Sequence, residues 1–217
     1  MAQYVAEHPE IAEKPVEVAE KPVEVAEKRA EVSVPAALNP SPLGLCAFAL
    51  TTFVLSALNA QLVPAAGATI IIGIALFYGG IAQMLAGMWE FRVGNTFAGV
   101  VFTSYGAFWL AVGYSLQNHL IVSHTAFAYF LLGWAIFTGM MLLGALRTNV
   151  ALITVFLVVL LTIVALTIDE FVGGGTTWGL IGGWLGIIAA VLAWYTALAG
   201  LLASTKSAFH LPTWPIK

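Results

Sequence analysis

The chain reads Asn39-Pro40-Ser41-Pro42-Leu43-Gly44-Leu45 where the first of six long apolar stretches begins. Proline lacks an amide hydrogen and is tolerated only in the first turn of a helix, so the two prolines predict a helix start. The Asn39 side chain can cap that helix, because its oxygen can accept from amides that hydrocarbon would leave unpaired. The stretch therefore predicts a helix that starts at a membrane boundary.

The composition defines the broad class of the protein. Apolar residues make up 60% of the 217 positions, whereas Asp, Glu, Lys and Arg together make up 9%. Soluble domains do not cover their surface with so few charges, so we expect an all-α integral membrane protein. Each apolar run is near or above the ~20 residues that cross ~30 Å of hydrocarbon. The six predicted helices are 43–60, 65–89, 96–116, 126–146, 150–168 and 177–203.

The basic residues predict the orientation of the chain in the membrane. When six helices are threaded in order, all basic residues fall on one side: Lys14, Lys21, Lys28, Arg29, Arg92, Arg147, Lys206 and Lys217. By the positive-inside rule that side is cytoplasmic, so both termini are expected there. An odd number of helices would scatter these residues over both faces, so the pattern also favours six.

The residues before the first helix form a separate region. The heptad Ala12-Glu13-Lys14-Pro15-Val16-Glu17-Val18 recurs at 19–25, and again at 26–32 with Arg29-Ala30 in place of Pro-Val. Prolines one heptad apart interrupt a coiled coil, and the acidic composition favours an extended spacer. We therefore predict a disordered acidic tail at 1–38, a transmembrane transport domain at 39–205 and a short C-terminal tail at 206–217.

Polar side chains line one face of the first helix. Phe48, Thr52, Ser56 and Asn59 follow one another at helical spacing, which places them on one stripe. Such a stripe can face water along a path through the membrane, although Ser, Thr and Gly also occur between packed membrane helices. Both readings stay open from the residues alone.

The next two helices carry further candidates for the same path. Gln83 lies deep in the second helix, where its amide needs partners from another helix or from water. Thr103, Ser104 and Tyr105 lie together on the third helix. Glu90 lies beside Arg92 at the predicted cytoplasmic end, where it could relay a proton or form a structural ion pair.

The sixth helix holds two overlapping glycine motifs. Gly179-xxx-Gly183 and Gly182-xxx-Gly186 lie on neighbouring faces, and this spacing lets two helix backbones touch. The contact can be within one protomer or between subunits, and the spacing alone does not distinguish them.

Several classes of function lack the residues that they need. The spans hold no pair of carboxylates, no His and Cys cluster at metal spacing and no Gly-rich phosphate loop, so we expect no enzyme, metal or cofactor. The net charge is −3 and no basic patch is present, so we expect no nucleic acid partner. What remains is passage of something through the lipid bilayer, or a structural role in it. Spans without embedded charges suit a small and weakly polar molecule, or an anion that can cross in partly protonated or hydroxyl-solvated form.

The opening stretch resembles the N-P-A-P-L-G-L signature of the acetate uptake transporter family, which includes the succinate–acetate permeases. The resemblance continues, in family order, in Phe77-Tyr78-Gly79-Gly80-Ile81-Ala82-Gln83, Glu90-Phe91-Arg92, Gly94-Asn95-Thr96-Phe97 and Phe102-Thr103-Ser104-Tyr105-Gly106-Ala107-Phe108-Trp109. The six-span pattern covers everything after the tail. Ser41 departs from the family, where alanine is usual, and adds a hydroxyl near the cytoplasmic mouth.

The resemblance implies six-helix protomers in the plasma membrane, each with its own narrow pore, assembled as a homohexamer. It implies passage of acetate, with succinate or other short carboxylates in some members. It also implies a hydrophobic constriction formed by Phe48, Tyr105 and an aliphatic residue of the fifth helix, which we align to Val159, with Leu157 or Leu160 close behind.

The residues and the resemblance together predict a mechanism for such a pore. A monocarboxylate would lose part of its water at the constriction, and hydroxyls and the Gln83 amide would replace that water. The path would run past Asn39, Thr52, Ser56, Gln83, Thr103 and Ser104. Channel and proton symport both remain open, because no intramembrane carboxylate marks a proton path. The alternative function is a non-transporting signalling or assembly protein, which the repetitive tail and the glycine-rich sixth helix fit equally well.

Overall fold

The computed structural model describes residues 38–64 and 67–216, and the regular structure in these ranges is helical. The six helices are α1 (Ser41–Asn59), α2 (Ile70–Arg92), α3 (Thr96–Gln117), α4 (His124–Ala145), α5 (Val150–Phe171) and α6 (Thr177–Ser204). All six are long and apolar enough to cross a membrane. The predicted all-α class with six spans is confirmed, whereas the predicted tail falls almost wholly outside the described residues.

Helix α2 is the one whose predicted boundaries were wrong by more than three residues. It begins at Ile70 rather than 65, because a turn in which the Gly67 amide donates to the Pro64 carbonyl, at 2.8 Å, precedes it. It runs to Arg92 rather than 89 and stops before Gly94, whose φ of 84° lies in the left-handed region that ends many helices.

The middle of α2 is π-helical from Ile74 to Ala82, which the sequence pattern did not predict. At the end of this segment the backbone amide of Gln83 donates to the Tyr78 carbonyl, five residues back. A π segment is wider than an α-helix and often lies near a functional site. It changes which residues share a face of α2 and directly precedes Gln83.

The glycines of α6 pack inside the protomer. A methyl group added at Gly182 would meet the Leu166 side chain of α5 at 2.6 Å, and one at Gly183 would meet the backbone at Ala60 after α1. One at Gly186 would collide with the Ser56 hydroxyl of α1. These glycines therefore let α6 approach α1 and α5 closely, which supports the reading of the motifs as contacts within one protomer.

The chain after α6 returns to the start of α5. The amides of Val150 and Ala151 donate to the carbonyls of Trp214 and Thr213, at 3.0 and 3.3 Å. The Tyr195 hydroxyl of α6 donates to the Pro212 carbonyl at 2.6 Å. The predicted C-terminal tail is thus attached to the helical bundle where the structure describes it.

Candidate functional site

Two cavities lie at opposite ends of the helical bundle and share three lining residues. Cavity 1, about 520 Å³, lies among the amino-terminal halves of α1, α3 and α5. Cavity 2, about 410 Å³, lies among the carboxyl-terminal halves of the same helices. The residues common to both linings are Phe48, Tyr105 and Val159. The two cavities therefore meet at the residues aligned to the family's constriction.

All three shared residues are buried, with side chains between 4% and 8% exposed. The rings of Phe48 and Tyr105 meet edge to face, with centroids 5.7 Å apart. The Tyr105 hydroxyl shares a hydrogen bond of 2.7 Å with Thr138 of α4, and Thr138 in turn donates to the Trp134 carbonyl. Contacts with Phe108, Trp134 and Phe137 hold the other sides of the Tyr105 ring. The ring is therefore fixed from several directions.

The odd-numbered helices each begin beside an asparagine that lines cavity 1. The Asn95 side chain accepts from the Ala98 amide at 3.2 Å, and the Asn149 side chain accepts from the Leu152 amide at 2.9 Å. The prediction that Asn39 caps α1 is wrong, because Pro40 is the capping residue; the Asn39 side-chain oxygen lies just before it and accepts from the Ser41 amide at 3.2 Å. Three helix amino-termini, each partly positive, thus converge on one cavity, and this arrangement favours an anion.

Gln83 lies in the same cavity with its carbonyl oxygen unpaired. Its side chain is 1% exposed, and among the described residues Gln83 Oε1 has no hydrogen-bond partner. An unpaired buried acceptor is costly, so a bound molecule that can donate a hydrogen bond would have a favourable place beside it. Among the described lining residues of cavity 1 none is Asp, Glu, Lys or Arg.

Cavity 2 is lined by the polar stripe of α1 and by one unexpected donor. Thr52, Ser56 and Asn59 line it, as the helical spacing predicts for one face. Thr52 Oγ1 and the indole nitrogen of Trp109 also lack partners among the described residues. The lining includes three titratable residues at the ends of α4 and α5: His124, Asp169 and Glu170.

Glu90 does not form the ion pair with Arg92 that the sequence suggested as one alternative. It is 1% exposed and accepts from the Ser41 hydroxyl of α1 at 2.5 Å, whereas Arg92 is exposed. The two side chains of α2 are two residues apart, so they point to different sides of the helix. Ser41, the position that departs from the family pattern, thus joins the start of α1 to the end of α2.

Thr103 and Ser104 line neither of the two cavities, which corrects their placement in the predicted path. Thr103 packs against Gly87 of α2, where an added methyl group would collide with its hydroxyl. Tyr105 and Phe102 occupy the face of α3 toward the cavities, and a helix turns Thr103 away from that face.

Sequence reasoning missed four residues of the site: Asn95, Asn149, Trp109 and Thr138. The recurrence of an asparagine at the start of each odd-numbered span could have revealed the first two. Trp109 lies within a motif of the resemblance, but no spacing rule assigns its N–H to a cavity. Thr138 is an isolated hydroxyl in an apolar run, and only the packing of α3 on α4 pairs it with Tyr105.

Comparison with known proteins gives close relatives. Acetate permease A of Emericella nidulans is 41% identical over 193 residues, which are 80% of this chain and 65% of that protein. The chain thus spans just under two thirds of the length of this relative. The succinate-acetate/proton symporter SatP of Escherichia coli K12 is 38% identical over 169 residues, which are 76% of this chain and 88% of that protein.

A solved structure has the same fold. The bacterial acetate channel SatP superposes with a TM-score of 0.75 at 33% sequence identity, over 81% of this chain and 98% of that one. With the six apolar helices, these relatives identify a multi-pass membrane protein. The model of the GPR1/FUN34/yaaH family matches residues 24–217, so the resemblance read from the motifs is confirmed. This chain belongs to the GPR1/FUN34/yaaH family.

Proposed function

We propose that this chain is a membrane channel or transporter for acetate and other short carboxylates, succinate among them. The observation that carries the proposal is the pair of cavities, open toward opposite ends of the bundle and bordered by the same three residues, Phe48, Tyr105 and Val159. The names of the relatives, an acetate permease, a succinate-acetate/proton symporter and an acetate channel, support this substrate class.

The lining of cavity 1 supports an anion as the substrate. Three helix amino-termini attract a carboxylate into a cavity without lining carboxylates, because each contributes a partial positive charge. The N–H groups of the Gln83 side-chain amide then replace part of the water that the carboxylate loses as it approaches the constriction of Phe48, Tyr105 and Val159. The constriction selects permeating molecules by size and slows hydrated ions, since it offers apolar and aromatic surface instead of water. Thr52 and Ser56 receive the carboxylate in cavity 2.

The wider biological setting follows from the family resemblance. We propose a homohexamer in the plasma membrane, with one pore in each protomer and both termini in the cytoplasm. We also propose that the chain is not an enzyme, in line with relatives that are named as transporters and channels.

The deciding experiment is uptake of radiolabelled acetate into liposomes that hold the purified protein, with and without an imposed pH gradient. Empty liposomes correct for free diffusion of acetic acid. Accumulation above equilibrium only with the gradient indicates proton-linked transport, whereas equilibration without regard to the gradient indicates a channel. Absence of protein-dependent flux from folded protein would overturn the proposal in favour of the signalling or assembly role.

The contribution of Gln83 has its own test in the same liposomes. Gln83→Leu removes the amide and keeps the approximate volume, so we expect a raised KM for acetate. Gln83→Asn keeps an amide on a shorter side chain and serves as the matched control. An unchanged KM in Gln83→Leu would contradict the role of this amide in replacing water.

A further inference from the structure

A histidine and a glutamate meet at the end of cavity 2 that is remote from the constriction of Phe48, Tyr105 and Val159. His124 begins α4, Glu170 lies in the last turn of α5, and both line the cavity. His124 Nδ1 lies 2.7 Å from Glu170 Oε2, and the side chains are 61% and 20% exposed. At the mouth of this cavity the His124 imidazole is thus already paired with a carboxylate of the protein itself, that of Glu170.

The neighbouring Asp169 has a different role. Its two oxygens accept from the amides of Gly175 and Thr176 and from the Thr176 hydroxyl, at 2.6 to 3.1 Å. Asp169 therefore holds the loop between α5 and α6. The Glu170 side chain makes none of these bonds, and among the described residues its hydrogen-bond partner is His124. The Glu170 backbone carbonyl accepts from the Gly173 amide of the loop at 3.2 Å, whereas its carboxylate makes no hydrogen bond to the loop among the described residues and can exchange partners.

The helix ends favour such an exchange. An anion near His124 lies at the amino-terminal end of α4, where the helix dipole stabilises negative charge. The Glu170 carboxylate lies at the carboxyl-terminal end of α5, where the dipole of its own helix opposes negative charge. A carboxylate that arrives from solution lies near the same two helix ends, but unlike Glu170 it is not attached to α5 and can lie nearer the start of α4.

The interior of cavity 2 holds unused polar groups for the next step. The Thr52 hydroxyl and the Trp109 indole N–H belong to side chains that are 8% and 2% exposed, and they have no partner among the described residues. Both residues line the same cavity as His124. A carboxylate that leaves His124 therefore has hydrogen-bond donors available between the mouth of cavity 2 and the constriction.

We propose that His124 is the docking group for the substrate carboxylate at the mouth of cavity 2, and that Glu170 is its built-in competitor. The inference rests on the proposed function, because it assumes a carboxylate that crosses this cavity. Glu170 presents to His124 the same chemical group that the substrate presents, so the substrate displaces it by exchange of one carboxylate for another.

The test compares the concentration dependence of acetate uptake by liposomes holding four variants: His124→Gln, Glu170→Gln, the double variant and His119→Asn. His124→Gln should raise the KM by roughly three- to tenfold, as expected for loss of one charge-assisted hydrogen bond at an exposed site. Glu170→Gln should lower the KM, because the competitor loses its charge. In the double variant, Glu170→Gln should no longer lower the KM relative to His124→Gln alone. His119→Asn, in the segment between α3 and α4 and outside the cavity lining, should match the wild type.

The alternative is that the pair of His124 and Glu170 only holds α4 against α5 and has no role in docking. Loss of either partner then changes transport in the same direction, and this result, or an unchanged KM in both single variants, would overturn the proposal. A simple repulsion of anions by Glu170 is also distinguished, because Glu170→Gln then lowers the KM whether or not His124 is present.

A second measurement is independent of flux. In protein with ¹⁵N-labelled imidazoles, acetate should shift the signal that disappears in His124→Gln, and the neutral analogue acetamide should not. No shift on addition of acetate would refute docking even if transport is normal. A shift without any flux from the wild-type protein would instead refute the proposed function and leave the docking group in place.

Discussion

At the scale of single residues, Tyr105 is the side chain through which the path can be altered most directly. Its ring lies between the two cavities and is held by Phe48 on one side and by the Thr138 hydroxyl at its tip. Tyr105→Ala removes the ring, so we expect a severalfold rise in succinate flux relative to acetate flux in liposomes. Tyr105→Phe keeps the ring and loses one hydrogen bond, at a cost of about 1 kcal/mol in stability, so its flux ratio should match the wild type. An unchanged ratio in well-folded Tyr105→Ala would count against the constriction.

Glu90 belongs to the same scale, and its geometry favours a structural role over a proton relay. The carboxylate is buried and bound by the Ser41 hydroxyl, and it does not line either cavity. We expect Glu90→Gln to keep the uptake driven by a pH gradient and to lower the thermal stability, because the hydrogen bond loses its charge. Ser41→Ala should lower stability as well, since it leaves a buried carboxylate without this donor. Loss of gradient-driven uptake in Glu90→Gln, at normal stability, would instead support a relay.

At the scale of elements, the contact of α6 with the end of α1 depends on glycine. A methyl group at Gly183 would lie 2.8 Å from the Ala60 Cα atom, and backbone cannot move away cheaply. Gly183→Ala should therefore lower the midpoint of thermal unfolding in detergent. Gly139→Ala in α4 is the matched control, because nothing lies within 4 Å of the added group there. Alanine in a helix interior is more stabilising than glycine by roughly 0.5–1 kcal/mol, so the midpoint of Gly139→Ala should be equal to or above that of the wild type. Equal midpoints for the two variants would contradict the close packing of α6.

The elements also explain where sequence reasoning about the site succeeded. Phe48, Thr52 and Ser56 lie on one stripe of a regular α-helix, and periodicity alone predicted that they share a face. Gln83 follows a π-helical segment, which alters the helical register and has no signal in the residue types. Thr103 was misplaced because hydroxyls next to Tyr105 resemble a continuation of the polar path, whereas the turn of α3 directs Thr103 to Gly87.

At the scale of the whole molecule, six spans in the described residues place the start of α1 and the end of α6 on one side of a membrane, and the basic residues predict that this side is cytoplasmic. The orientation can be tested with single cysteines in a Cys46→Ala background. A membrane-impermeant thiol reagent added to intact cells should label His119→Cys, between α3 and α4. Arg147→Cys, between α4 and α5, should react only after permeabilisation. Labelling of Arg147→Cys in intact cells, with His119→Cys protected, would reverse the orientation.

The class of the protein, the number of spans and most of their ends could be predicted from the residues along the chain. These properties depend on transfer of apolar surface from water to lipid and on local start and stop signals, which are read along the chain without knowledge of neighbours. The motif blocks in family order also determined the family, and through it the alignment of Phe48, Tyr105 and Val159.

Which side chains meet could be read only from the packing of the six helices. The convergence on cavity 1 of three helix starts that each lie beside an asparagine, the bond from Tyr105 to Thr138, and the pairing of His124 with Glu170 join residues from different helices. Helix periodicity places each residue on a face of its own helix, but the neighbour of that face depends on how six helices pack. That packing is set by close contacts such as those of Gly182 and Gly186, whose energies depend on the shape of both partners.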